Sequence, residues 1–139
     1  MGIFIGVIIS FLIFYIADNS MADMSTLVRM ATQGTCIGFA AYGMSYLMIT
    51  GEIDLSSGAV AGLAATVSWM MLDSGYNELI SYTSALSVAA LVGLLNSFMT
   101  LVIGIPSFFG TLGTSFAASG LIIWLLKGRW FIQEILFHS

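Results

Sequence analysis

Residues 49–62 read ITGEIDLSSGAVAG. Two carboxylates, Glu52 and Asp54, stand here between two long apolar stretches. The chain has 139 residues, of which 59% are hydrophobic and only 7% charged. Soluble domains carry about a quarter charged residues, so this chain cannot coat a globule with charge. Runs of about 18 or more mostly apolar residues read instead as membrane helices. A single helix over residues 34–72 would run roughly 58 Å, against an apolar bilayer core of about 30 Å. The chain must therefore turn between Gly51 and Gly58. Gly51 supplies backbone freedom, and Ser56 or Ser57 can cap the helix that follows. Asp54 then faces the positive end of that helix's dipole.

Outward from this turn, five apolar segments emerge, at about 2–16, 33–50, 57–72, 82–103 and 111–126. None of the joins between them is a long flexible linker. The expected fold is an all-α, polytopic transmembrane helical bundle with about five membrane segments. It forms a single transmembrane domain over residues 1–139. The first segment lacks the positive leading region and the A-x-A-like site of a cleaved signal peptide, so a retained span is expected. Pro106, the single proline, disfavours helix at Ile105. The fourth helix should end before it. The stretch PSFFGTLGT should form a turn into the fifth, with Thr111 or Thr114 capping or lining that entry. Three pairs of glycines at helix-packing spacing, Gly2/Gly6, Gly34/Gly38 and Gly58/Gly62, allow close helix contact.

The net charge is -4, from seven acids and three bases. No basic tract exists for nucleic acid to meet. Cys36, the single cysteine, permits no internal disulfide and reads as a small packing residue. His138 stands one residue from the C-terminus with no ligand partner nearby, so no metal or other cofactor is expected. No phosphate loop, H-E-x-x-H helix or G-x-S-x-G elbow occurs, and the chain does not read as an enzyme.

Polar residues inside the spans are more informative, because such groups face protein or a watery path. Gln33, Asn96, Ser97, Thr100, Thr111 and Thr114 qualify. Each can simply bond to a neighbouring helix, or it can line a path for a polar solute. Glu52, Asn96, Thr111 and Thr114 are the candidates for the path. Gly51, Asp54, Ser56, Gly58 and Pro106 are the candidates for the turn or helix caps. Asp54 should accept backbone N–H groups at the start of the third helix, and Glu52 should be the acid that reaches water. On this reading Asp54→Asn chiefly reduces folded yield.

Two blocks of sequence carry a family resemblance. AAYGMSYLMITGEIDLSSGAVAGLAA resembles the signature of bacterial ABC-transporter permeases of the ribose/xylose/autoinducer-2, or monosaccharide importer, class. That signature reads A-L-G-M, an apolar run, then T-G-G-I-D-L-S-V-G-S. Ala41, Gly43, Met44, Thr50, Gly51, Ile53, Asp54, Leu55, Ser56 and Gly58 match. In the same order, GLLNSFMTLVIGIPSFFGTLGTSFAASGL resembles the family's second block through Gly93, Asn96, Ile105, Pro106, Phe108, Thr111, Leu112, Gly113, Thr114 and Gly120. Glu52, Ser57, Ser97 and Ser107 depart from the pattern, and Glu52 adds a charge where the family has glycine.

The resemblance covers the N-terminal half of such permeases. It implies a transmembrane subunit of an importer for a sugar-like solute, multi-pass in the bacterial cytoplasmic (inner) membrane. Implied partners are ATP-binding-cassette ATPase subunits, a solute-binding protein, and a second permease subunit or the missing half. The contrasting reading is a small structural or regulatory membrane protein, or a non-functional truncated permease.

Overall fold

A computed structural model describes residues 2–18 and 22–127. Five α-helices follow one another: α1 (Gly2–Ala17), α2 (Met24–Ile49), α3 (Ser57–Asp73), α4 (Glu78–Phe98) and α5 (Ser107–Leu125). A π-helical turn, Met99–Ile103, extends α4. No β-strand occurs among the described residues, as an all-α fold requires. The tail with Arg129 and His138 lies outside the described residues.

Among the described residues two elements are long and apolar enough to cross a membrane: α4 with its π turn, 26 residues, and α5, 19 residues. At 1.5 Å per residue these reach about 39 and 28 Å, near the thickness of the apolar core. Helix α1 is as apolar but has 16 residues. Helix α2 begins nine residues before the apolar run expected from 33, so the join MSTLVRM is helical. It holds no Gly or Pro to stop a helix, and Leu27 N–H already bonds to Asp23 C=O at 2.9 Å.

Contacts divide the chain into two compact units, Met1–Gly43 and Met44–Ser139. In the first, hydroxyls inside the helices bond back one turn: Ser10 to Gly6 C=O, Thr32 to Val28 C=O and Thr35 to Ala31 C=O. That satisfies each hydroxyl without a neighbouring helix. Phe11 and Tyr15, one turn apart, stack with ring centres 6.5 Å apart.

In the second unit α3 is central and packs on both α4 and α5. Its interior is made of small side chains. The buried residues are Leu63, Ala85, Gly110 and Ala118 together with Ser56, Thr66, Ser68, Ser81 and Thr111. Leu79, Leu86, Leu91, Phe116 and Trp124 face outward. This inverts the soluble pattern. Lipid is as apolar as leucine, so helix association rests on close packing of small residues and on interhelical hydrogen bonds. Of the glycine pairs, closeness is realised at Gly62 alone, where a Cβ would lie 3.3 Å from Ile122 Cδ1 of α5. Among the described residues nothing lies within 4 Å of a Cβ at Gly2, Gly6, Gly34, Gly38 or Gly58.

The break expected between residues 51 and 58 is present. Helix α2 stops through Gly51, whose φ is +81°. Gly51 N–H bonds to Met48 C=O at 3.2 Å and Glu52 N–H to Leu47 C=O at 3.0 Å. These are the two bonds of a Schellman stop, which needs a left-handed residue at that position. Gly51→Ala is expected to destabilise the chain by about 1 kcal/mol, from the left-handed conformation alone. Thermal unfolding in detergent micelles checks it, and an unchanged midpoint would show that the stop does not hold the turn.

The break before α5 is also present but shorter than expected. Gly104, at φ +83°, and Ile105 end the π turn, with Ile105 N–H bonded to Met99 C=O. Pro106 occupies the N-cap position of α5. Its carbonyl accepts from Phe109 and Gly110 N–H. SFFGTLGT is thus helix and not turn. Proline is well suited here, since its missing N–H falls among those a helix start leaves unpaired anyway. Thr111 and Thr114 therefore sit inside α5 and cap nothing.

Candidate functional site: an acidic, hydroxyl-lined cleft

Residues 52–55 run between α2 and α3 without helix. Their backbone N–H groups need partners if they are shielded from water. Helix α5 supplies them. Ile53 N–H bonds to Ser107 Oγ at 3.2 Å and Leu55 N–H to Thr111 Oγ1 at 3.1 Å. The match is geometric. Two residues of extended chain rise about 6.6 Å, and four residues of helix about 6 Å. Alternate N–H groups of the linker therefore meet hydroxyls one turn apart on α5. The Thr111 hydroxyl proton has two acceptors in reach, Ser107 C=O at 2.7 Å and Ile53 C=O at 3.3 Å.

Asp54 accepts two bonds on one oxygen, Oδ1: from Ser56 N–H and from Ser56 Oγ–H, both at 2.7 Å. The first closes an Asx turn immediately before α3. Ser56 is the N-cap residue of α3, yet its side chain makes no capping bond to the helix. This corrects the expectation of Ser56 as a side-chain cap. Its hydroxyl is used sideways, accepting from Asn96 Nδ2 of α4 at 2.8 Å. Asn96 Oδ1 in turn accepts from Thr114 Oγ1 of α5 at 2.6 Å. Ser56 is 1% exposed, so this bridge runs through the interior of the unit.

These elements enclose an open cleft of about 590 Å³. Its polar lining comes from Thr50 after α2, Glu52 and Asp54 on the linker, Asn96, Ser97 and Thr100 on α4 and its π turn, and Ser107 and Thr111 on α5. Leu47, Gly93 and Leu101 add an apolar side. Among the described residues no lysine or arginine lines the cleft. Glu52 and Asp54 are half-buried. Among the described residues the Glu52 carboxylate and the second oxygen of Asp54 have no protein partner, and neither is a buried orphan. Both therefore remain open to whatever enters.

The structure thus brings Glu52, Asn96 and Thr111 to one cleft. Thr114 does not line it but touches Asn96, which does. Gly51 and Asp54 sit in the turn, and Gly58 lies one residue inside α3. Ser107 and the backbone of Ile53 and Leu55 went unnoticed as partners. The available signal was the four-residue spacing of Ser107 and Thr111, which places them on one helix face.

Comparison with known proteins follows this geometry. Residues 26–135 match the family described as branched-chain amino acid transport system / permease component. An autoinducer 2 import system permease protein LsrC of Photorhabdus luminescens is 29% identical over 115 residues, covering 83% of this chain and 35% of that relative. The LsrC of Yersinia pseudotuberculosis serotype O:3 is 30% identical over 115 residues, covering 83% of this chain and 33% of the relative. The match thus spans about a third of these relatives' length. No solved structure matches.

Proposed function

The chain belongs to the family of permease components of branched-chain amino acid transport systems and is therefore an integral membrane protein; from that premise we propose that it forms part of the path of an ABC importer for an uncharged, hydroxyl-rich, sugar-like solute. The observation that carries this reading is the cleft, with two carboxylates, a carboxamide and several hydroxyls but no cation. Such a lining both accepts from and donates to hydroxyl groups.

The lining disfavours an anion. A solute carboxylate about 6 Å from one of these acids would be repelled by about 3 kcal/mol at an effective dielectric of about 20. That is a loss of roughly a hundredfold in affinity for a solute with no positive group of its own, and no guanidinium or ammonium lies among the described lining residues to offset it. The relatives carry the name of autoinducer 2 importers, in keeping with a solute that is not an amino acid. On this reading the chain crosses the bacterial inner membrane several times. It works with ATP-binding-cassette ATPase subunits, a solute-binding protein and further permease chain, and contributes path and no chemistry.

Deletion of the coding sequence in its own host tests the proposal. Uptake of a radiolabelled sugar-like solute should fall to background while leucine uptake is unchanged. Loss of leucine uptake instead would overturn it. Unchanged uptake of every solute would favour a structural or regulatory protein.

A further inference from the structure

The bridge from α5 through α4 to the linker has a fixed polarity, and that polarity decides what the cleft presents. A carboxylate can only accept. Ser56 must therefore spend its hydroxyl proton on Asp54 Oδ1 and accept from Asn96. Asn96 must then turn its NH₂ toward Ser56 and its oxygen toward Thr114, which has to donate. No member can reverse without breaking the bond to the carboxylate. Bonds aligned head to tail in this way strengthen one another.

The consequence lies at the two members that line the cleft. Asn96 Nδ2 has two protons and gives one to Ser56, leaving one N–H. Asp54 uses Oδ1 for both Ser56 bonds and leaves Oδ2. Both anchor atoms, Asp54 Oδ1 and Asn96 Nδ2, are held to the same Ser56 Oγ, at 2.7 and 2.8 Å. The free donor and the free acceptor are therefore neighbours in one cleft wall.

We propose that Asn96 and Asp54 form a donor–acceptor pair that recognises two adjacent hydroxyls of the solute, and that Ser56 and Thr114 are positioning residues, Ser56 setting the polarity of the pair and Thr114 holding the Asn96 amide in place. One solute oxygen accepts from Asn96 Nδ2–H, and the neighbouring hydroxyl donates to Asp54 Oδ2. Thr114 acts at a distance: the Ser56 bond fixes which end of the Asn96 amide is NH₂, and the Thr114 bond to Oδ1 holds the plane of that amide, so without it the remaining N–H swings out of line with Asp54 Oδ2. The proposal rests on the reading of the cleft as a path for a hydroxyl-rich solute and adds which atoms sort it.

The test uses the full chain in lipid nanodiscs with ¹⁵N-labelled asparagine. The probes are 1,4-anhydroerythritol, a small ring with one adjacent pair of hydroxyls, and 3-hydroxytetrahydrofuran, the same ring with one. Leucine is the control. The diol should shift the Asn96 side-chain amide resonances saturably, and the mono-ol should bind at least tenfold more weakly. Thr114→Val, which keeps the shape and removes the hydroxyl, should weaken diol binding about tenfold. Thr114→Ser should restore it. If Thr114→Val does not fold, the diol and mono-ol comparison on the native chain decides alone. Equal binding of diol and mono-ol, or diol binding indifferent to a folded Thr114→Val, would overturn the pair while leaving a path for hydroxylic solutes. Leucine shifting the Asn96 resonances while the diol does not, or no response to any probe, would overturn both.

Discussion

Asp54→Ala is expected to lower the stability of the folded chain by about 3 kcal/mol, and Asp54→Asn by about 1 kcal/mol. The alanine variant loses two charge-assisted bonds and leaves the N–H and hydroxyl of Ser56 without their acceptor. Ser56 is 1% exposed, so water can reach these groups only through the space that the carboxylate vacates on the cleft side. Asparagine retains an oxygen at Oδ1 and can close the same Asx turn. What it loses is charge, and what it changes is the cleft-facing atom, from an acceptor to an NH₂ donor. The sequence points to reduced folded yield as the main effect of Asp54→Asn. The geometry, with both bonds on one oxygen, points instead to a folded protein with impaired solute binding. Reversible unfolding in mixed micelles, followed by helical circular dichroism, separates these outcomes. Equal damage from both substitutions would show that the second oxygen also holds structure.

Asn96→Leu is expected to cost about 2 kcal/mol. It removes two interhelical bonds, each worth roughly 0.6–1.7 kcal/mol in a membrane protein. The cost stops there because each former partner keeps one bond. Ser56 still donates to Asp54, and Thr114 can turn its proton to Gly110 C=O at 3.0 Å. The loss should show in the same unfolding measurement. A second sign is coupling: once Asn96 is leucine, Thr114→Val should add almost nothing. Additive losses in that double-mutant cycle would mean that Thr114 stabilises α5 by itself and that the bridge is not one unit.

Glu52 offers a contrast with its neighbour. Both acids line the cleft, yet Asp54 is bonded into the turn while the Glu52 side chain is not. Only its backbone N–H serves the helix stop, bonding to Leu47 C=O. A backbone role survives any substitution except proline. The family signature has glycine at this place, and Glu52→Gly is therefore expected to leave the turn intact.

Local chemistry is legible in the sequence. Composition alone puts the chain in a membrane. The length of apolar sequence across residues 34–72 demands a break, and Gly51 marks where it falls. Pro106 marks the second break, and Asp54 two residues before Ser56 is an Asx turn in waiting. Each of these depends on a residue and its near neighbours, and so survives without tertiary information. Boundaries were less certain where helix formers ran past the apolar segments, as at MSTLVRM before α2 and SFFG at the start of α5.

What the tertiary structure decided is which side chains meet. The helices are apolar nearly all round, so no stripe tells which face points inward. The sequence could place Asn96, Thr111 and Thr114 within spans but could not rotate those helices about their axes. That rotation is set by packing α3 on α4 and α5 through small residues such as Gly62. Once it is set, Thr111 meets the linker, Thr114 meets Asn96, and Ser56 turns from a local cap into a link between helices. A hydrogen bond across 40 residues, such as Asn96 to Ser56, depends on the relative pose of two helices. No spacing within either one encodes it.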